Sequence, residues 1–275
     1  MTSQSVDTVE YRTIHSASEF DLAVNLEIEV WGLDPIDAVP TNIMHTIAMN
    51  GGVVIGAYIG EQLVGMSLAL PLFCEGEWVL WSHMVGVHPE YRGQGIGFNL
   101  KQAQRRWALN HGYETMRWTF DPLQRGNANF NIRHLGAYSR KYHINLYGDM
   151  TDDINAGLPS DRLEVVWSLN DPKVQDLANQ SSILVRSIDQ FLLQPSLFIL
   201  SLSDDLTPMC SDIRDVNMCA VEIPYNLAAL KKDRPEKAQE WRLALRETLL
   251  LAFTEGYTIT EFVNCETQCW YVLTK

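Results

Sequence analysis

The chain has 275 residues, of which 46% are hydrophobic, and its formal net charge at pH 7 is −13. This length corresponds to about two domains, and the hydrophobic content is sufficient to fill their cores. The acidic balance argues against a nucleic-acid partner, and no apolar run approaches the ~18–20 residues of a membrane span. We therefore expect a protein that acts on neither nucleic acid nor membrane.

The five cysteines are an odd number and include no Cys-x-x-Cys pair. Cys265 and Cys269 have a spacing that metal ligands can use, but no second pair accompanies them. Buried thiols in a reducing cytosol are the better interpretation. We expect a cytoplasmic protein without a metal site.

The first predicted elements are two helices and a hairpin. Residues 16–19 have the composition of a capping box and predict a helix that ends at Trp31. Residues 40–50 predict a second, short helix. Two β-rich runs, residues 53–59 and 63–70, predict the hairpin.

A third predicted strand, residues 78–87, leads into a glycine-rich turn at residues 92–97. The helix after the turn extends to Leu109, and its apolar positions are Ile96, Leu100, Ala103 and Trp107. Backbone N–H groups of such a turn converge at a helix N-terminus, where the helix dipole favours negative charge. The turn therefore predicts a phosphate or pyrophosphate site. It lacks the Lys-Ser or Lys-Thr of a P-loop, and Phe98 occupies the third glycine position of the dinucleotide fingerprint.

The turn and its lead-in resemble the acyl-CoA-binding signature of the GNAT superfamily of N-acyltransferases. The matching pattern is Arg-x-x-Gly-x-Gly, after a strand that ends in Val-His-Pro-Glu-Tyr. The resemblance covers roughly residues 9–170. It implies an α+β GNAT fold, a mixed and mostly antiparallel central sheet with flanking helices. Acetyl-CoA or another acyl-CoA would be the co-substrate.

Two further features bear on this resemblance. In this fold the third strand carries a bulge, and Gly86 predicts either that bulge or the close approach of another segment. Residues 92–141 contain nine basic and two acidic side chains, which suits a polyanion such as coenzyme A. A solvated helix surface is the alternative for these charges.

The remaining predicted elements follow the order of that fold. Residues 115–120 predict the parallel neighbour strand, and residues 127–136 predict a short helix that starts at asparagines. Residues 142–147 and 163–169 predict the closing strands.

We divide the chain into a GNAT acyl-CoA-binding and catalytic domain, residues 1–170, and a C-terminal α/β unit, residues 171–275. The C-terminal unit has a predicted strand, long helix, strand and strand at residues 216–224, 235–253, 258–263 and 270–274. A strand–helix–Gly–strand succession occurs in both halves. We interpret the second as a degenerate GNAT half, packed on the first, that cannot hold CoA; an unrelated unit of this common type is the alternative.

Acyl transfer to an amine needs a base, oxyanion donors and a proton for the leaving thiolate. The resemblance implies that His83 is the base, in a His-x4-His lead-in like that of members that act on arylalkylamines. A packed strand histidine is the alternative, and Glu75 and Glu77 are the next candidate bases. The backbone N–H groups of Val85 and Val87 are the implied oxyanion donors.

The usual tyrosine proton donor of the family corresponds to Ile132 here, so we take Tyr138 as the candidate general acid. Asn127 and Asn129 occupy the region where the family binds the pantetheine amide, and helix capping is their alternative role. The predicted cofactor-binding residues are Val85, Val87, Arg92, Gly93, Gln94, Gly95, Ile96, Gly97, Asn127 and Asn129.

The resemblance implies an N-acyltransferase that moves an acetyl group, or another acyl group such as succinyl, to a small amine or an amino acid. Two alternatives remain open: a catalytically weak CoA-binding sensor or scaffold, and a protein N-acetyltransferase. Trp31, Trp78 and Trp81 are candidates for the wall of the acceptor pocket, with core packing as their alternative. The sequence discloses neither the acceptor nor the oligomeric state, for which a homodimer is one option.

Overall fold

The computed structural model describes residues 8–148, 150, 156–179, 197–213 and 216–275. The chain divides into two compact units, Met1–Arg117 and Trp118–Lys275. This division does not test the domain boundary predicted at residue 170, which stays a prediction. Of the helices in the described ranges, none combines the length and the apolar character needed to cross a membrane.

The first unit is a mixed sheet with helices packed on it. Its elements are β1 (Val9–Thr13), α1 (Ala17–Trp31), α2 (Thr41–Met49), β2 (Val53–Ile59), β3 (Gln62–Cys74), β4 (Glu77–Val87), a short 3-10 turn (Pro89–Tyr91), α3 (Ile96–Asn110) and the start of β5 (Thr115–Phe120). Strands β1 to β4 pair antiparallel in chain order. β4 pairs in parallel with β5 through Leu80 with Met116 and Trp81 with Arg117. This mixed architecture confirms the predicted fold class.

Local sequence signals place most of these elements correctly. α1 begins at Ser16, whose side chain forms the capping box with Glu19, and ends at Gly32 with φ +65°. The prediction misses β1, because an edge strand pairs on one side only and alternates half-buried with exposed residues. Trp107 of α3 is only half-buried and stacks on His111, with 3.8 Å between ring centroids.

The second unit contains further strands and a long helix. Its elements are α4 (Arg125–Ala128), a π-helical turn (Asn129–His134), β6 (Tyr138–His143), β7 (Arg162–Ser168), α5 (Pro172–Asn179), β8 (Phe198–Leu202), β9 (Pro208–Cys210), β10 (Met218–Ile223), α6 (Leu227–Asp233), α7 (Pro235–Thr254), β11 (Thr258–Asn264) and β12 (Cys269–Thr274). The strand order is β7-β6-β11-β12-β10-β8-β9. Helix α7 buries the predicted residues Trp241, Leu245, Leu249 and Ala252.

Two predictions in this unit are wrong in detail. The strand predicted at residues 142–147 is β6, which starts at Tyr138 and ends at His143, because Asn145 adopts a left-handed conformation with φ +46°. The helix predicted to start at asparagines starts at Arg125, with Gln124 as its N-cap.

The sheet order also changes the internal correspondence suggested by the sequence. β10 and β11, on either side of α7, are separated by β12, whereas β4 and β5, on either side of α3, are direct neighbours. β12 lies between β10 and β11 as β7 lies between β5 and β6. By strand order, β10, β11 and β12 correspond to β5, β6 and β7. The correspondence between α7 and α3 that the sequence suggested does not agree with this order.

Candidate functional site

The glycine-rich turn, residues 92–97, is exposed over residues 92–95, and Ile96 is buried. Gly93 and Gly95 both have φ +78°, a conformation that glycine adopts without steric penalty. A Cβ at Gly93 would have no neighbour within 4 Å, and one at Gly95 would meet only Asn99 Nδ2, at 4.0 Å. Conformation rather than crowding therefore requires glycine, and the outer face of the turn is accessible to a ligand.

The first turn of α3 offers backbone N–H groups without a side-chain cap. Gly95 is the N-cap residue and forms no side-chain hydrogen bond, and the first turn contains no acidic residue. The N–H of Asn99 donates to the carbonyl of Gly95 at 3.1 Å. The N–H groups of the residues before Asn99 lie ahead of this bond and have no carbonyl partner within the helix. Together with the helix dipole, this arrangement fits a diphosphate.

Arg92 anchors this turn through its side chain. Its Nε donates to the Val87 carbonyl at 3.1 Å, and its Nη2 donates to the Val30 carbonyl at 3.3 Å. The guanidinium is thus engaged with backbone of β4 and α1. These two hydrogen bonds hold the start of the turn against both elements.

The register of β4 breaks at His83. Leu68 of β3 pairs with Met84 and Ala69 pairs with Ser82, which leaves His83 as the extra residue of a β-bulge. The bulge that the resemblance implies is therefore present, but it lies three residues before the glycine that suggested it.

Gly86 has a different role. It pairs regularly with Met66, and a Cβ there would lie 2.7 Å from the ring of Trp31 and 3.1 Å from Val30. Of the two explanations predicted for this glycine, close approach of another segment applies, because α1 packs directly against it.

The geometry of β4 after the bulge turns two backbone N–H groups away from β3. The N–H of His88 donates to the Val64 carbonyl at 2.9 Å, which makes this a hydrogen-bonded pair of the antiparallel ladder. Because such pairs alternate with non-hydrogen-bonded pairs, Val85 and Val87 direct their backbone groups to the opposite edge. The bond from Arg92 to the Val87 carbonyl agrees with this direction. The N–H groups of Val85 and Val87 therefore point away from β3 and are not used in its ladder.

His83 combines exposure with a perturbed pKa. Its side chain is accessible to solvent, yet desolvation by surrounding protein lowers its pKa below the usual 6.5. A lowered pKa keeps the imidazole neutral at pH 7, the form that can accept a proton.

The other predicted acid–base residues are placed less favourably. Tyr138 is half-buried at the start of β6, and Ile132, at the family's tyrosine position, is fully buried. Glu75 is paired with Arg117 at 2.9 Å, and Glu77 is exposed at the start of β4. His88 caps the 3-10 turn through Nδ1, which accepts the Glu90 N–H at 3.3 Å.

The predicted asparagines lie inside the helical segment after β5. Asn127 is exposed, and Asn129 Nδ2 lies 3.1 Å from His134 Nε2. Neither residue is the N-cap of α4, so capping of the helix N-terminus does not explain them, and Asn129 is the C-cap residue of α4. The segment from Asn129 to His134 is π-helical, a geometry that is frequent at functional sites.

The basic stretch is not a continuous cationic surface. Lys101 is buried, Arg117 is paired with Glu75, and Arg125 stacks on the ring of Tyr225 at 3.9 Å. The charge pattern therefore adds less support to polyanion binding than the turn does. In the described part of the chain, no three His, Cys, Asp or Glu side chains come together in a way that could hold a metal ion.

The candidate pocket tryptophans differ in exposure. Trp78 is 64% exposed beside Phe73, whereas Trp31 and Trp81 are half-buried. Trp31 packs on Gly86 and Trp81 pairs across the strand with Arg117. Core packing thus accounts for part of the surface of Trp31, and Trp78 is free to contact a ligand.

Residues 20–136 match the model of the acetyltransferase (GNAT) family. No curated protein sequence matches the chain. Among solved structures, the chain is similar to an N-acetyltransferase from Staphylococcus aureus, with 16% identity, coverage of 60% of this chain and 99% of that chain, and a TM-score of 0.46. A GNAT family acetyltransferase from Elizabethkingia anophelis with acetyl-CoA bound has 15% identity, coverage of 59% and 99%, and a TM-score of 0.44.

A third solved structure, the ribosomal-protein-S18-alanine N-acetyltransferase from Escherichia coli, has 12% identity, coverage of 59% of this chain and 94% of that chain, and a TM-score of 0.45. The family match begins at Phe20, within α1, and extends past the end of the π-helical turn. It therefore contains the glycine-rich turn and the bulged strand before it. On this match, the chain carries a GNAT-family acetyltransferase domain at residues 20–136, within a longer sequence.

Proposed function

We propose that this protein is an acyl-CoA-dependent N-acyltransferase that transfers an acetyl group, or another acyl group such as succinyl, to the amine of a small molecule or an amino acid. The observation that carries the proposal is the open glycine turn at the uncapped start of α3. The match of residues 20–136 to the GNAT family model supports the same reaction class.

In the proposed complex, the turn from Arg92 to Gly97 binds the diphosphate of the co-substrate through backbone N–H groups. Gly93 and Gly95 provide the left-handed conformation, and Gln94, Ile96 and Gly97 contribute their amides. Asn127 and Asn129 bind the pantetheine arm. When bound, acyl-CoA supplies the acyl group as an activated thioester.

The proposed chemistry places His83 as the general base. A neutral imidazole that is accessible to solvent can take a proton from the acceptor ammonium, directly or through water. The N–H groups of Val85 and Val87 would stabilise the oxyanion, because the alternation of the ladder directs them away from β3. Tyr138 is proposed as the proton donor to the thiolate.

A CoA-binding sensor is the second candidate function. The supporting observation is the fully buried Ile132, which places an apolar side chain where the family has its proton-donating tyrosine. A protein N-acetyltransferase is a variant of the first proposal with a peptide acceptor. All five cysteines are free thiols, which supports a reducing compartment, and we propose the cytosol.

The test is thiol release from acetyl-CoA and succinyl-CoA with alkylamines, arylalkylamines, amino acids and a peptide N-terminus as acceptors. We expect turnover with at least one pair, and we expect His83→Gln to lower kcat by about 10²–10⁴-fold while CoA affinity is unchanged. The matched control is His111→Gln, which makes the same change in an exposed histidine at the far end of α3. CoA binding without turnover would favour the sensor, and no binding of any CoA ester would refute both functions.

A further inference from the structure

The bulge in β4 reverses which face of the strand each side chain occupies. Residues two apart in a regular strand share a face. Ser82 and Met84 do not: Met84 packs with Leu68 in the core under α1 and α2, whereas Ser82 bonds to Lys101 of α3. The single extra residue, His83, produces this reversal. The positions of all later residues of β4 therefore depend on where the bulge forms.

A buried polar triangle holds the residue immediately before the bulge. Lys101 Nζ donates to Ser82 Oγ at 3.0 Å and to Gln104 Oε1 at 3.0 Å. Ser82 Oγ donates to the same Gln104 oxygen at 2.9 Å. Lys101 is 2% exposed and Gln104 is fully buried, so this triangle lies inside the layer between α3 and the sheet.

Stability alone does not explain a lysine at this position. Burial lowers the pKa of Lys101 well below its usual value, which shows that the interior disfavours its charged form. An apolar side chain of similar volume would avoid this penalty. What the triangle supplies is direction, because Lys101 and Gln104 can bond to Ser82 only when its hydroxyl lies on the α3 face of β4. A slip of one residue would place His83 there instead.

We propose that Lys101 is a positioning residue, which through Ser82 fixes the bulge of β4 at His83 and thereby sets the direction of the His83 imidazole and the Val85 amide. The inference rests on the proposed function, in which these two groups serve as base and oxyanion donor. Lys101 lies on α3, the helix that follows the glycine turn, but it would affect the reaction through β4 and not through the turn.

The experiment compares Lys101→Met and Ser82→Ala with the wild-type chain. Lys101→Met removes the amine and keeps an unbranched side chain that is one atom shorter. The control is Ser67→Ala, which removes another buried hydroxyl from the same sheet, one for which no hydrogen-bond partner is found among the described residues. Each variant is measured for unfolding, CoA affinity, kcat and its pH profile. The imidazole NMR titration of His83 is also recorded, with the signal assigned by its loss in His83→Gln.

We expect both test variants to fold and to bind CoA like the wild type, with kcat lowered by about tenfold or more and the pH profile displaced. The His83 titration should move towards the ordinary pKa of histidine, because a loosened bulge admits water. Wild-type kcat, pH profile and titration in folded variants would overturn the inference, since a merely structural lysine would change only the unfolding transition.

Failure of the proposed function is distinguishable from failure of this inference. If the wild type binds CoA but shows no turnover, the reaction is refuted, and the His83 titration still decides whether Lys101 fixes the bulge. If Lys101→Met does not fold, Ser82→Ala decides by the same measurements. An unchanged titration in Ser82→Ala would then refute the inference.

Discussion

Replacement of Gly95, the N-cap residue of α3, by alanine should reduce both stability and CoA binding. Alanine at φ +78° adopts the left-handed conformation, which costs a non-glycine residue about 1–2 kcal/mol. The new Cβ would meet only Asn99 Nδ2, at 4.0 Å, so no clash adds to this strain. Gly95→Ala should therefore lower Tm by about 2–4 °C for a chain of this size.

The chain contains a matched control at the other end of the same helix. Gly112 has φ +82°, and a Cβ there would have no neighbour within 4 Å, so Gly112→Ala carries the same strain. The two glycines are separated by the 15 residues of α3, or about 22 Å. Gly112→Ala should thus lose equal stability without disturbing the turn.

Calorimetric titration with CoA separates the two variants. If the strained turn relaxes and loses one charge-assisted hydrogen bond of about 1.5–3 kcal/mol, affinity falls by roughly 10–150-fold in Gly95→Ala. Gly112→Ala should bind CoA as the wild type does. Equal affinities in two variants with equal losses of Tm would show that the turn does not hold the diphosphate.

Two further predictions concern stability. Burial raises the pKa of Glu27, whose oxygens both lie 3.2 Å from the Val39 nitrogen. Because the pKa is raised on folding, the stabilisation by the protonated carboxyl is complete below the unfolded pKa, near 4.3, and is lost as the pH rises through the folded pKa. Glutamine does not titrate, so the Tm of Glu27→Gln relative to the wild type should increase when measured from about pH 4 to about pH 8. A difference in Tm that stays constant over this range would contradict the assignment. Arg242→Met should destabilise by about 3–5 kcal/mol in denaturant unfolding, because it leaves Asp121, 2.7 Å from the buried guanidinium, without its partner. Arg242→Met combined with Asp121→Asn should recover most of this loss, and equal instability of the single and double variants would count against the explanation.

The sequence by itself determines the features that contiguous residues encode. The capping box before α1, the helix α3 and the glycine turn each depend on a short run of neighbouring side chains, so local patterns identify them. The turn is also the part of the site with the clearest chemistry, since its function depends on backbone conformation that glycine alone permits readily.

Only the tertiary structure decides where the bulge of β4 lies and what Lys101 does. Register depends on which residues of β3 face β4, and a glycine in the strand cannot distinguish a bulge from the close approach of α1. The sequence pattern of an amphipathic helix predicts that a lysine lies on the surface. Lys101 is buried because α3 packs against Ser82 of β4. Local sequence specifies backbone conformation, but residues distant in the chain determine strand register and burial. The reason is that the contacts that stabilise register and burial form only when these segments meet.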